Sequence, residues 1–177
     1  MTTVTFLGTS GGAGVTTLAA LSVHLIADAG LRMPALVADD AVVFHARMGA
    51  VPRARQTTTD ELIDGGAYAL ARASAALSQG QLVLVAPATE SGMIAQDEAL
   101  SAIAARFGRP GMERTVAVRC ATFGPAPRAT EQLCLPFDAW LAPGGAISEV
   151  FARLGGRTRQ VLRQEWAPVL RANYTSR

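Results

Sequence analysis

The chain has 177 residues, half of them hydrophobic and 17% charged, with a formal net charge of +2. This describes one domain with a sizeable core and excludes a disordered tail. A charge this small gives no argument for nucleic-acid binding. All sixteen basic residues are arginine, a bias expected of a GC-rich coding sequence, so no lysine is available anywhere in the chain. The two cysteines, Cys120 and Cys134, have no CxxC or metal-ligand spacing and read as free thiols of a reducing compartment, with a bridge left open. No basic segment followed by an apolar core opens the chain, and no apolar run approaches the ~18 residues of a membrane span. A cytoplasmic location is therefore expected.

In chain order, Val4–Leu7 reads as a buried strand and Thr16–Ala29 as a helix, with Leu18, Leu21, Leu25 and Ile26 at helical spacing and Gly30 as its stop. His24 falls inside that helix, as a packing or surface residue. Pro34–Ala38 is a second strand, ending at Asp39-Asp40. Ala41–Gln56 reads as loop with a short helix. Thr57-Thr58-Thr59-Asp60 reads as a cap for a short helix at Glu61-Leu62-Ile63 that Gly65-Gly66 ends. Tyr68–Leu77 is an alanine-rich helix. Leu82–Ala86 is the clearest strand, and its continuous apolarity suits a parallel sheet buried on both faces. Ala95–Phe107 is helical, Thr115–Val118 and Leu133–Leu135 are strands, and Ile147–Leu154 and Thr158–Ala172 are helical. The alternation predicts one α/β domain over 1–177, with a mostly parallel sheet of about five strands, helices on both faces and right-handed crossovers.

Between the first strand and first helix lies Gly8-Thr9-Ser10-Gly11-Gly12-Ala13-Gly14-Val15-Thr16-Thr17. Strand, glycine-rich turn and helix make the frame of a phosphate-binding loop. The glycines let successive N–H groups point inward, and the helix N-terminus adds partial positive charge. The usual motif places a lysine just before the Ser/Thr pair, reaching the β- and γ-phosphates. Here that residue is Val15.

Ser10-Gly11-Gly12-Ala13-Gly14-Val15-Thr16-Thr17 resembles the deviant phosphate loop of the ParA/MinD family of partitioning and positioning ATPases, KGGxGKTT, with Ser10 and Val15 in place of the lysines. Other segments resemble the family more loosely. Asp39-Asp40 stands where it has D-x-D-P, and Thr59–Gly65 resembles the short helix after it. Leu82–Glu90 is similar to a later strand and its T-P-E turn. Val116–Arg119 stands at V-x-L-N, and Leu135-Pro136-Phe137-Asp138 at I-P-x-D. The resemblance implies a P-loop NTPase-like fold. It also implies a nucleotide site of Ser10, Gly11, Gly12, Ala13, Gly14, Val15, Thr16, Thr17, Arg119 and Pro136, with Thr16 and Asp39 toward Mg²⁺. ATP or ADP with Mg²⁺ would bind weakly, without the cations that stabilise phosphoryl transfer. The family's switch aspartate has no counterpart by this reading, because the only strand expected between Gly49 and Gly111 ends Val85-Ala86-Pro87.

The leading function is a non-hydrolysing positioning or assembly factor working through protein contacts, as a homodimer or hetero-complex. A pilus, secretion or conjugation apparatus is suggested by where such relatives occur. One alternative is an active ATP switch using Arg119, Arg53 or Arg55 in place of lysine. Another is a Rossmann-type dinucleotide binder with Asp39 on the ribose. Arg47, Arg53 and Arg55 read as a solvated face before they read as a DNA contact. The apolar stripe of Val161, Leu162, Trp166, Val169 and Leu170 resembles a membrane-surface helix, but core packing is favoured because Pro168 interrupts it.

Overall fold

The protein is described from a computed structural model covering residues 2–51, 56–122, 124 and 132–174. The sheet has six strands, all parallel: β1 (Thr3–Gly8), β2 (Met33–Ala38), β3 (Gln56–Ala67), β4 (Gly80–Pro87), β5 (Thr115–Cys120) and β6 (Leu133–Leu135), in the order β2-β3-β1-β4-β5-β6. The helices between them are α1 (Val15–Asp28), α2 (Ala41–Met48), α3 (Leu70–Gln79) and α4 (Glu90–Glu113); α4 is kinked at Gly108, where φ is 59°. The chain ends in α5 (Ile147–Val150), α6 (Gly156–Val161), a π-helical turn at Leu162–Trp166 and α7 (Ala167–Asn173). The expected single-domain α/β fold with a parallel sheet is what forms, with one strand more than expected.

Helices cover both faces, and the strands show why. In β4, Val83 and Val85 face one core with α1, while Leu82 and Leu84 face the other with α3 and α4. In β1, Val4 and Phe6 join the first core and Leu7 the second. A strand buried on both sides needs apolar residues at every position, so the run is continuous.

The added strand is β3, and it replaces the expected helix cap. Three successive threonines are β-branched and favour a strand once partners exist. Those partners are β1 and β2, far away in sequence: Leu62 pairs with Val4 and with Leu36. Gly65 is no helix stop. A Cβ there would lie 2.8 Å from Leu7 Cδ2, so the glycine permits close approach of β3 to β1.

The C-terminal stripe packs into the core. Trp166 is fully buried, meets Phe6 edge-on at 6.0 Å, and donates its indole N–H to Ser22 Oγ at 2.8 Å. Pro168 does not stop the helix; the π turn just before it absorbs the missing N–H. Among the described residues no helix is long and apolar enough to cross a membrane.

Candidate functional site

Parallel strands all point the same way, so the loops after β1, β3, β5 and β6 gather at one edge. With β1 central and the order running β3-β1-β4, that edge is where open α/β sheets form their ligand crevice. In the β1–α1 loop, Gly12 and Gly14 take left-handed backbone conformations, at φ 72° and 91°. Gly14 is held by more than its φ: a Cβ there would lie 3.1 Å from Cys120 Cβ and 3.2 Å from Thr122 Cγ2. It caps α1 with no side-chain hydrogen bond, and no acid stands in the first turn. The helix's first N–H groups therefore have no side chain to satisfy them, the arrangement that favours an anion.

A cavity of about 490 Å³ opens in front of this helix end. The whole segment Ser10–Thr17 lines one wall. Arg47 of α2, the end of β3 at Gly66-Ala67, and Cys120 at the end of β5 with Ala121 and Thr122 after it line others. The β6–α5 connection closes it with Leu135, Pro136, Phe137 and Asp138, then Leu141, Ala142 and Gly144. Every expected loop residue and Pro136 thus meet at one cavity of ligand size.

Val15, in the place of the lysine, is 8% exposed and lies over the end of β1; a Cβ on Gly8 would be 2.4 Å from its Cγ2. Its branched side chain fills the space that Gly8 leaves open. Ser10 is exposed at the rim.

Two expected residues are not brought to the cavity. Arg119 is buried, with Nε donating to Gln96 Oε1 at 2.9 Å and Nη2 3.6 Å from Asp97 Oδ1. Its strand position turns it toward α4 and away from the cavity-lining Cys120. Asp39 pairs with Arg72 at the surface, both side chains about half exposed (52% and 49%). Arg53 and Arg55 lie outside the described residues.

Of two residues that sequence reasoning passed over, Arg47 lines the cavity, and Asp64 does not line it but lies beside Thr16, which does. Asp64, near the end of β3, is 5% exposed. Burial pushes its carboxyl above the usual range, while hydrogen bonds from the Thr16 side chain and the Gly66 N–H pull it back. Asp39 and Asp40 raise it further by repulsion. The expectation of a single strand between Gly49 and Gly111, without an acid, is therefore corrected: β3 is a second strand there and carries Asp64 three residues before its end at Ala67, beside Thr16 of the glycine-rich loop. It was hidden because Thr57–Asp60 read as a cap for a short helix at Glu61–Ile63. Arg47 is 8% exposed, although it read as part of a solvated face. Its Nε donates to Thr17 Oγ1 at 3.1 Å and its Nη2 to the Leu141 carbonyl at 2.8 Å, and Nη1 donates to the Gly145 carbonyl. Burial lowers its pKa. Its signal in the sequence was the helical stretch Phe44-His45-Ala46-Arg47-Met48, which puts Phe44, Arg47 and Met48 on one buried face.

Cys120 and Cys134 are both free thiols. Cys120 is buried, and desolvation pushes it up to about 12. The hydroxyls of Thr9 and Thr122 are buried without a hydrogen-bond partner among the described residues.

No protein-family model matches the chain, and no curated protein does. Among solved structures, it is similar to the signal recognition particle receptor FtsY from Elizabethkingia anophelis, with 16% identity and a TM-score of 0.40. The likeness covers 67% of this chain and 50% of that one, so the chain spans about half of that structure's length.

Proposed function

We propose that the protein is a ParA/MinD-like pseudo-ATPase: a phosphate-loop domain that holds nucleotide weakly, does not hydrolyse it, and works in the cytoplasm through protein contacts as an assembly or positioning factor. A pilus, secretion or conjugation apparatus is the setting we propose for it. The observation that carries this reading is Val15, seated over Gly8 where a lysine would reach the phosphates. Phosphoryl transfer depends on positioned positive charge, and an arginine finger alone is worth about 10³–10⁵ in rate. Neither Ser10 nor Val15 carries charge.

The residues present do fit a nucleotide's Mg²⁺. Thr16 and Asp64 offer adjacent hard oxygens, and Mg²⁺ takes few protein ligands, keeping waters and phosphate oxygens for the rest. Asp64 replaces Asp39 in that role, since Asp39 pairs with Arg72. Mg²⁺ would neutralise phosphate charge there. Loop N–H groups and Thr16 would orient the phosphates, and Pro136 and Phe137 would border the base.

Ser10 is short, neutral and at the rim, so it supplies no cation to a phosphate held by a partner subunit. Any homodimer or hetero-complex should therefore form independently of ATP. The Arg119 route to an active enzyme loses support from that residue's bonds to α4, and the Rossmann route from the ion pair of Asp39.

Phosphate-release assays on wild type and Thr16→Ala test the proposal, with light scattering with and without ATP·Mg. Release at the blank rate, and an oligomeric state unmoved by nucleotide, are expected. Turnover lost in Thr16→Ala, or a dimer formed only with ATP, would overturn it.

A further inference from the structure

Arg47 is a cation taken out of water without an anion. Among the described residues no carboxylate pairs with it; its three bonds go to one hydroxyl and two carbonyls. A buried charge with only neutral partners is costly, because carbonyl dipoles replace only part of its hydration. A guanidinium has five N–H donors, so about two remain beyond those bonds. Its planar fork matches phosphate oxygens and stays charged when buried.

The place of this charge is informative. Arg47 reaches the cavity beside Thr17, which also lines it, two residues along α1 from Val15. The cavity thus has a cation at the Thr17 side and an apolar side chain where a lysine would meet the β- and γ-phosphates. Thr122, which also lines the cavity, has a buried hydroxyl with no hydrogen-bond partner among the described residues.

We infer that Arg47 is an anion-binding side chain of this cavity, and that the site takes a nucleoside mono- or diphosphate in preference to a triphosphate. This rests on the proposed reading of the cavity as a nucleotide site. The guanidinium would join a bound phosphate to the carbonyls of Leu141 and Gly145, so one residue would hold both ligand and loop. A third phosphate adds negative charge next to Val15, where no side-chain cation answers it.

Calorimetric titration of the full chain with adenosine, AMP, ADP and ATP, and with GMP, GDP and GTP, tests this with and without Mg²⁺. In wild type, the mono- or diphosphate should bind at least as tightly as the triphosphate. Arg47→Gln should weaken the phosphorylated ligands about tenfold to a hundredfold while leaving adenosine within about twofold. Equal loss of adenosine and AMP would reduce Arg47 to a brace for the Leu141–Gly145 loop and overturn the inference. So would a triphosphate bound tenfold tighter than the diphosphate by wild type, a measurement that stands even if Arg47→Gln does not fold. Absence of binding by every nucleotide at millimolar concentration would also overturn it, together with the weak nucleotide binding of the proposed function, and would leave only the assembly role through protein contacts. ATP turnover would do the reverse, ending the pseudo-ATPase reading while the Arg47 comparison remained measurable.

Discussion

Helix α1 divides two regions with opposite chemistry. Behind it, polar groups are matched. Ser22 Oγ accepts from Trp166 Nε1 and donates to the Leu18 carbonyl at 2.7 Å; His24 Nε2 donates to the Met48 carbonyl at 2.9 Å; Tyr174 Oη donates to the Glu61 carbonyl at 2.8 Å. In front, the balance is incomplete: Asp64 is a desolvated carboxyl, Arg47 a cation without a carboxylate among the described residues, and Thr122 a buried hydroxyl without a partner. The contrast teaches where stability and binding are divided. The matched side holds the fold, and under the proposed function the incompletely matched side would keep capacity for a ligand.

The largest effect should come from breaking the matched side. Trp166→Ala empties a fully buried indole site against Phe6 and should cost about 3–5 kcal/mol of stability, read from the denaturant midpoint. Trp166→Phe should cost less, with the lost Ser22 bond worth about 1 kcal/mol.

Within the loop, two glycines should separate. Gly14→Ala combines a φ of +91° with contact at 3.1 Å to Cys120 and should destabilise by about 1–3 kcal/mol. A methyl group on Gly11 would meet nothing within 4 Å, so Gly11→Ala should stay within about 0.5 kcal/mol. Thermal melts of the pair would sharpen the comparison, and equal losses would break it.

The acid pair gives a smaller, signed effect. Asp64 has its folded pKa raised by burial, so the folded state binds its proton more tightly than the unfolded chain. Stability from this group is greatest at low pH and falls as pH rises from the unfolded value through the folded one. Asp64→Asn should therefore raise the melting temperature at pH 7, with the gain shrinking toward pH 4. Asp39→Asn breaks an exposed ion pair with Arg72 and should change stability by less than about 1 kcal/mol. A loss of stability in Asp64→Asn at pH 7 would show that the front of α1 is as well matched as its back.

The smallest effect is chemical. Cys120 is buried with its thiol pushed up to about 12, while Cys134 is half-buried with a more modest rise. Iodoacetamide at pH 8 should label Cys134 first and leave Cys120 until the protein unfolds, as mass spectrometry would show.

How much was legible depended on the range of the cause. The β1–loop–α1 unit was readable because its signals are local: an apolar run, glycines at the turn, then helical spacing from Leu18 to Ile26. The seating of Trp166 was half readable, since the stripe shows an apolar face but not what covers it. β3 was not readable, because Thr57-Thr58-Thr59-Asp60 satisfies the local rules for a helix cap. Its strand state depends on hydrogen bonding to β1 and β2, which local propensity does not contain.

By itself, then, the sequence determined the α/β alternation, the glycine-rich loop between strand and helix and the absence of lysine from it, because each is written in consecutive residues. Only the tertiary structure decided which charges meet that loop. Asp64 reaches it through the β1–β3 pairing, Arg47 through the packing of α2 on α1, and Arg119 is turned away by the alternation of β5. Charge placement in a cavity is set by contacts among residues distant in sequence, and each such contact exists only once the sheet has ordered its strands.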